Sequence, residues 1–243
     1  MAESLGWGIL ASSSLVLGGL LVMRWPIGPR LLGLVMAFGS GVLISAVSFE
    51  LVQEAFDTSA RQGGVGAGLL AGSVTFFAGD WLIDRAGGHG RKRSGGAQVG
   101  GTGLAIVLGI VLDGIPESFV LGLTVLQQGT VSAAFLVAVF LSNLPEAVAA
   151  TSGLLQSGWA RGRVLGLWLL VMAVSGLSAL AGYALLDGAS PTTIAFVLSF
   201  AGGAILTMLA DTMMPEAFEQ EGRLVGIVTT VGFALAFAIS ALE

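Results

Sequence analysis

The chain has 243 residues, of which 55% are apolar, 10% are charged and 38 are glycine, and its mean hydropathy is +0.92. Soluble domains carry about 25% charged residues, so this composition excludes an ordinary soluble enzyme. The chain contains no cysteine, which excludes disulfides, thiolate metal sites and cysteine nucleophiles. Its formal net charge is −5, but in a membrane protein the positions of the charges matter more than their sum.

Hydropathy predicts an all-α membrane protein in which one transmembrane domain covers residues 1–243. A spanning helix needs roughly 20 apolar residues. The eight predicted spans are 5–23, 31–56, 64–84, 101–126, 130–155, 164–186, 190–218 and 222–242. The start of the chain lacks a basic region, so we interpret span 1 as a retained helix and not as a cleaved signal peptide. Glycines and like charges predict a mobile cytoplasmic loop at 86–100.

Basic residues indicate the orientation of these spans. Nine of the ten Lys and Arg residues fall in alternate loops, and Arg61 is the exception. This distribution predicts that both termini lie outside a cell membrane, of the bacterial inner-membrane type. The run Arg91-Lys92-Arg93 is interpreted as a topology anchor, with binding of anionic lipid as the alternative. Tryptophans near predicted span ends, including Trp25, Trp81, Trp159 and Trp168, are interpreted as interfacial anchors.

Two pairs of segments repeat within the chain. Residues 38–56 of span 2 align without gaps with residues 200–218 of span 7, and residues 112–117 of span 4 align with residues 141–146 of span 5. The members of each pair run in opposite directions through the predicted bilayer. This pattern is typical of an inverted repeat, an architecture of transporters whose site lies near the membrane midplane.

Acidic residues are concentrated in spans 2, 4, 5 and 7, and no basic residue lies inside these predicted spans. The acids are Glu50, Glu54, Asp113, Glu117, Glu146, Asp211 and Glu216. A charge at the bilayer centre costs at least about 2.5 to 3.5 kcal/mol, so each acid needs protonation, water or a bound cation. Because the acids share a few spans, a bound metal ion is the interpretation we favour.

Spacing and proline support this interpretation. Three pairs of side chains have i, i+4 spacing, which places each pair on one side of its helix: Glu50 with Glu54, Asp113 with Glu117, and Ser142 with Glu146. Pro116, Pro145 and Pro215 lack an N–H, so each frees the carbonyl four residues earlier as an oxygen ligand. The alternative is that the prolines are packing kinks and the acids are protonated hydrogen-bond donors between helices.

The motifs resemble those of a known family. Asp113-Gly-Ile-Pro-Glu117 and Ser142-Asn-Leu-Pro-Glu146 resemble the paired His-Asn-x-Pro-Glu-Gly motifs of spans 4 and 5 in the ZIP family of divalent metal transporters. Glu50-Leu-Val-Gln-Glu-Ala and Thr212-Met-Met-Pro-Glu-Ala resemble that family's span 2 and span 7 motifs. The resemblance covers the whole chain. It implies one or two metal positions between spans 4 and 5, lined by Asp113, Glu117, Ser142, Asn143 and Glu146.

The chain also departs from the family pattern. Asp113 and Ser142 stand where the family usually has histidine, Gly114 replaces an asparagine, and the one histidine, His89, lies in a predicted loop. A set of oxygen ligands suits hard divalent cations such as Mn²⁺, Mg²⁺ or Ca²⁺ better than Zn²⁺, and Fe²⁺ and Cd²⁺ stay open. We therefore expect a divalent metal ion as substrate, with Glu50, Glu54, Asp211 and Glu216 as outlying candidate ligands.

Other classes of protein fit the sequence less well. An intramembrane aspartyl protease built on Asp113 and Asp211 would leave the repeated Pro-Glu unexplained, and the one lysine, Lys92, lies in a predicted loop where it cannot bind retinal. We therefore expect a transporter and no enzyme. Two alternatives stay open: a non-transporting metal sensor or structural relative, and a proton-conducting path of carboxylates. The expected partners are the cation and the lipid bilayer, with a homodimer to be tested and no nucleic acid.

Overall fold

The computed structural model describes residues 1–25, 27–59, 64–88 and 103–242, and within these ranges the chain is helical without strands. Seven of the described helices are long and apolar enough to cross a membrane, so the chain is a multi-pass membrane protein. We label the helices α1 Ala2–Arg24, α2 Pro29–Thr58, α3 Val65–Gly87, α4 Gly103–Gln128, α5 Ala133–Gln156, α6 Arg161–Leu186, α7 Pro191–Gln220 and α8 Val225–Ser240.

Helix lengths differ from the sequence prediction at two places. The last helix, α8, has 16 residues, or about 24 Å at 1.5 Å per residue, which is shorter than a hydrocarbon core of about 30 Å. The eighth span therefore stays a prediction. The predicted loop 86–100 begins inside α3, because the helix continues to Gly87, where a φ of 98° ends the helical conformation. The rest of that loop, with His89 and Arg91-Lys92-Arg93, lies outside the described residues.

Local sequence explains where several helices begin and end. Pro29 and Pro191 occupy the first helical position of α2 and α7, where a missing N–H costs no hydrogen bond. Ser190 caps α7 by accepting a hydrogen bond of 3.2 Å from the backbone N–H of Thr193. Gly129 directly follows α4 and has a φ of 75°, a left-handed conformation that only glycine adopts without strain.

Burial separates the helices into an inner and an outer group. In the most apolar windows of α2, α4, α5 and α7, 56 to 67% of the residues are buried, compared with 17 to 39% in α1, α3 and α6. The exposed side chains of α3 and α8 are large and apolar, for example Leu70 and Ile227. These surfaces suit lipid contact. The four inner helices are those on which the sequence places its seven intramembrane acids.

Helices α2 and α7 correspond to each other position by position. Both contain 30 residues, both begin with proline, and both change from α-helix to π-helix partway along. The π-helical turns span Val47–Gln53 in α2 and Leu209–Met213 in α7, and Val47 and Leu209 are aligned residues of the sequence repeat. Pro215 removes an α-helical hydrogen bond next to the turn in α7, whereas α2 forms its turn without a proline. The two segments thus share a feature that hydropathy does not reveal.

The inner helices α2 and α7 run antiparallel. Gly33, near the start of α2, lies against Gln220 at the end of α7, and Gly39 lies against Met213. Each helix also packs closely on one outer helix. A Cβ at Gly41 of α2 would meet the carbonyl of Thr229 on α8, and one at the aligned Gly203 of α7 would meet the carbonyl of Leu69 on α3. In both contacts, a glycine of an inner helix lies against a backbone carbonyl of an outer helix.

Tryptophans take two different positions. Trp25 and Trp81 are 59 and 44% exposed and lie beside the guanidinium groups of Arg24 and Arg85, as interfacial side chains do. The prediction for Trp168 was wrong, because this side chain is fully buried and donates a hydrogen bond of 2.8 Å from Nε1 to Thr151 Oγ1. Its neighbour is Gly19 of α1, whose missing side chain leaves room for the indole ring.

We expect Gly203→Ala to lower the thermal unfolding midpoint of the detergent-solubilised protein. The added methyl group would overlap the Leu69 carbonyl, which is backbone and cannot rotate away, so the cost is about 1 to 3 kcal/mol. Gly166→Ala on α6 is the matched control, because its Cβ would meet nothing within 4 Å. Equal midpoints for the two variants would contradict close packing of α3 on α7.

Candidate functional site

The side chains of the two Pro-Glu motifs lie in the interior. Asp113 and Glu117 of α4 are each 2% exposed, and Ser142 and Asn143 of α5 are 1 and 5% exposed. Both carboxylate oxygens of Asp113 and Oε1 of Glu117 are shielded from solvent. Glu146 is half-buried. Four of the five residues that the motif resemblance names thus occupy an environment in which charge is costly.

Helix α5 is held at its motif by both α2 and α7. A Cβ built on Gly39 of α2 would lie 3.2 Å from the carbonyl oxygen of Leu141 and 3.5 Å from the Cα of Ser142. The Cε atom of Met213 on α7 would lie 3.0 Å from the same Cβ. The Leu141 carbonyl is the one that Pro145 deprives of its helical N–H partner. Three inner helices therefore converge where α5 offers a backbone oxygen.

The hydroxyl of Ser142 has a defined direction. Its Oγ donates a hydrogen bond of 3.0 Å to the carbonyl of Val139, one turn earlier on α5. A hydroxyl that uses its hydrogen in this way keeps its lone pairs as acceptors. Ser142 could therefore serve as a neutral oxygen ligand without a change of protonation.

Helix α4 is held at its motif by α6. Ser178 Oγ of α6 donates a hydrogen bond of 3.1 Å to the carbonyl of Ile115, between the two acids of the motif. A Cβ at Gly114 would lie 3.7 Å from Ser175 Oγ of α6, an ordinary van der Waals distance, so this glycine faces α6. Span 6 contains no carboxylate, so the pattern of acids does not indicate this contact. The hydroxyl residues on one side of α6 were the signal that could have identified this contact.

The outlying candidate ligands have polar partners of their own. Oε1 of Glu50 accepts a hydrogen bond of 2.6 Å from Ser240 Oγ on α8, and Oε1 of Glu54 accepts one of 3.2 Å from Thr58 on its own helix. Glu216 is 4% exposed, and its Oε1 accepts a hydrogen bond of 3.1 Å from Gln220 Nε2. Glu50 and Glu54 are half-buried. These contacts lie on or beside the two repeated helices.

Asp211 differs from the other candidates. It is exposed on α7, and Asp80 of α3 lies close enough for their carboxylates to interact. One turn earlier the two helices are joined by a hydrogen bond of 2.7 Å from Thr207 Oγ1 to Ser73 Oγ. Asp211 therefore lies exposed beside the contact between α3 and α7.

Within the described ranges, no three His, Asp or Glu side chains lie together in a way that could hold a metal ion. In this part of the chain, α4 contributes two buried carboxylates, and α5 contributes a buried serine, a buried asparagine and a backbone carbonyl. No model of a known protein family matches the chain, and no curated protein matches it.

Proposed function

We propose that the protein transports divalent metal cations across the membrane through a site between α4 and α5. The observation that carries this proposal is the burial of Asp113 and Glu117 one turn apart on an inner helix. Neither α4 nor α5 contains a Lys, Arg or His residue that could neutralise them. A divalent cation at this position would stabilise the two buried carboxylates.

The proposed ligand set combines charged and neutral oxygens. Asp113 and Glu117 provide the charge, and Ser142, Asn143 and the Leu141 carbonyl provide neutral donors, with Glu146 at the edge of the set. Hard divalent cations accept such mixtures of carboxylate, amide, hydroxyl and carbonyl oxygen. The charge of this set comes mainly from the two acids of α4, so the carboxylates of α2 and α7 can lie elsewhere. It also favours Mn²⁺ over Zn²⁺ as substrate.

The proposed mechanism uses an inverted repeat. We infer a pseudo-twofold relation between two helix pairs, α2–α3 and α7–α8. Aligned prolines, aligned π-helical turns and matching glycine contacts support it. In such an architecture, alternating access moves one group of helices against the other around a fixed site. π-Helical turns often occur at functional positions, and those of α2 and α7 contain Glu50 and Asp211.

The proposed orientation places both termini outside a bacterial-type cell membrane. Arg24, Arg85 and Arg163 each stack on a neighbouring tryptophan, at the end of α1, the end of α3 and the start of α6. If successive helices cross the membrane in alternate directions, these three pairs lie on one face, which the positive-inside rule makes cytoplasmic. Similarity of the motifs to the ZIP family supports the same arrangement.

Uptake by purified protein in liposomes tests the proposal. Vesicles that contain the protein and a metal-quenched dye should take up Mn²⁺ faster than vesicles without protein. Vesicles that contain the Glu117→Ala variant provide the matched control for leakage. Equal uptake by all three preparations would contradict transport and favour a metal sensor or a structural protein.

A proton-conducting path is the second candidate function. The absence of a three-acid cluster from the described residues favours it, because proton transfer needs carboxyl groups in a chain and no shared metal position. The same vesicles distinguish the two functions. Proton entry driven by a membrane potential in metal-free buffer would identify a proton path, whereas metal-dependent uptake identifies a cation transporter.

Metal binding should release protons from the detergent-purified protein. Buried carboxyl groups near one another stay protonated without a cation, and a divalent cation displaces those protons. Addition of Mn²⁺ in weak buffer should therefore acidify the solution, and the Asp113→Asn variant should release fewer protons. A pH electrode measures the effect. Constant pH throughout the range of about 5 to 8 would contradict a site built on buried acids.

A further inference from the structure

An apolar cavity of about 180 Å³ lies between α1, α2 and α5. Its walls are formed by the end of α1, the start of α2 and the middle of α5, with Leu21, Leu31, Val35, Leu144 and Val148 among its lining residues. Every residue that lines it is apolar. It is separate from the carboxylates of the proposed cation site, although Pro145 of the α5 motif forms part of its wall.

The cavity has a closed side and an open side. Leu32 and Val148 are each 4% exposed and form the inner wall. Leu31 is 58% exposed and Leu21 is 37% exposed, so the opposite side faces out of the protein. Because α1 and α2 are membrane helices, the molecules at that open side are lipids.

The chemistry of the walls selects an apolar occupant. Apolar cavities of about 150 Å³ stay dry and bind small hydrocarbons, so water does not fill a cavity of this kind. Burial of apolar surface in it is favourable for any chain that can enter from the bilayer. The acyl chain of a membrane lipid has this chemistry and is present at the open side.

Basic residues stand at the mouth of the cavity. Arg24 is the last residue of α1, three positions after Leu21, and Arg30 directly precedes Leu31. Arg24 is exposed, with its guanidinium 5.3 Å from the centre of the exposed Trp25 ring. Arg30 is 76% exposed, and its Nε lies 3.5 Å from Glu221 Oε1. Arg30 is thus partly neutralised by Glu221, and Arg24 is the main positive charge at this mouth.

We infer that this cavity binds an anionic glycerophospholipid of the same leaflet, with an acyl chain between α1, α2 and α5 and the phosphate at Arg24. The inference goes beyond the proposed transport and does not require it, because it concerns lipid binding alone. The bound acyl chain contacts Pro145, which lies three residues after Ser142 on α5. Lipid binding therefore stabilises the segment of α5 that carries the candidate site.

Lipid binding to the delipidated full-length protein tests the headgroup. In neutral detergent, native mass spectrometry should show tighter binding of dioleoyl phosphatidylglycerol than of dioleoyl phosphatidylcholine. Arg24→Gln should weaken binding of phosphatidylglycerol about fivefold and leave phosphatidylcholine unchanged. The matched control is Arg163→Gln, because Arg163 also stacks on a tryptophan, with its guanidinium 4.0 Å from the Trp159 ring centre. An unchanged preference in Arg24→Gln would overturn the headgroup assignment.

Cavity-filling variants test the acyl chain. Val35→Trp should weaken binding of both lipids at least tenfold, and Leu31→Trp, at a position 58% exposed, should do the same if Val35→Trp fails to fold. Leu170→Trp on α6, at a position 56% exposed and away from the cavity, should leave binding unchanged. Wild-type affinity in the folded cavity variant would overturn the proposal, as would equally tight binding of glycerol phosphate, which has no acyl chains. None of these measurements depends on metal uptake.

Discussion

Glu117→Ala is expected to abolish uptake of divalent metal by reconstituted vesicles, with a loss of at least about 100-fold. Glu117 is 2% exposed on an inner helix. Because the position is buried, a carboxylate from the protein surface cannot take its place as a ligand. Changes to residues that merely support a metal ligand already cost 10- to 100-fold. We expect Glu146→Ala, the aligned position on α5, to abolish uptake as well.

Two controls separate loss of the ligand from loss of the fold. Glu117→Gln keeps the size and removes the charge, so it should also abolish uptake while keeping the gel-filtration profile of the wild type. Asp187→Asn removes an exposed acid that directly follows α6, and it should leave uptake unchanged. A folded Glu117→Gln protein with the wild-type rate would show that the cation does not bind to this carboxylate.

The double variant Asp113→His with Ser142→His is expected to shift preference from Mn²⁺ toward Zn²⁺ by about 5- to 30-fold, or roughly 1 to 2 kcal/mol. Both positions are buried on the inner helices α4 and α5. Imidazole nitrogen favours Zn²⁺, whereas carboxylate and hydroxyl oxygen favour harder cations. Competition between the two metals in uptake by both proteins, reconstituted side by side, measures the shift.

A second pair of histidines serves as the comparison. Ser190→His with Thr193→His places imidazoles at the exposed start of α7, outside the proposed site and away from every candidate ligand. This variant should keep the wild-type ratio of Mn²⁺ to Zn²⁺ uptake. A strong preference of the wild type for Zn²⁺ that Asp113→His with Ser142→His leaves unchanged would show that neither position contacts the metal.

Much of the architecture was predictable from the sequence. Long apolar segments predict membrane helices because backbone polar groups in lipid must bond within their own helix, and seven such helices are confirmed. The spacing of Asp113 and Glu117 predicts a shared helix face, and both side chains are buried. The alignment of residues 38–56 with 200–218 also anticipated the correspondence of α2 and α7, although it contained no sign of their π-helical turns.

Other properties depended on which helices pack together. Trp168 has the sequence context of an interfacial residue, but the small Gly19 on α1 and the hydroxyl of Thr151 on α5 provide a buried position for its indole ring. Likewise, the serines on one side of α6 indicate a polar contact, but the sequence does not identify its partner, because Ser178 and the Ile115 carbonyl are 63 positions apart.

The sequence by itself determined that the chain crosses a membrane, where seven long apolar helices lie and which of them carry acids, because these properties follow from local hydropathy and helical period. The tertiary structure decided which of the acids are buried. Asp113 and Glu117 lie in the interior, whereas Asp211 faces Asp80 at the contact between α3 and α7 and Glu50 bonds to Ser240. Side chains on different helices have no fixed relation in sequence, so only the packing of one helix on another brings them together or keeps them apart.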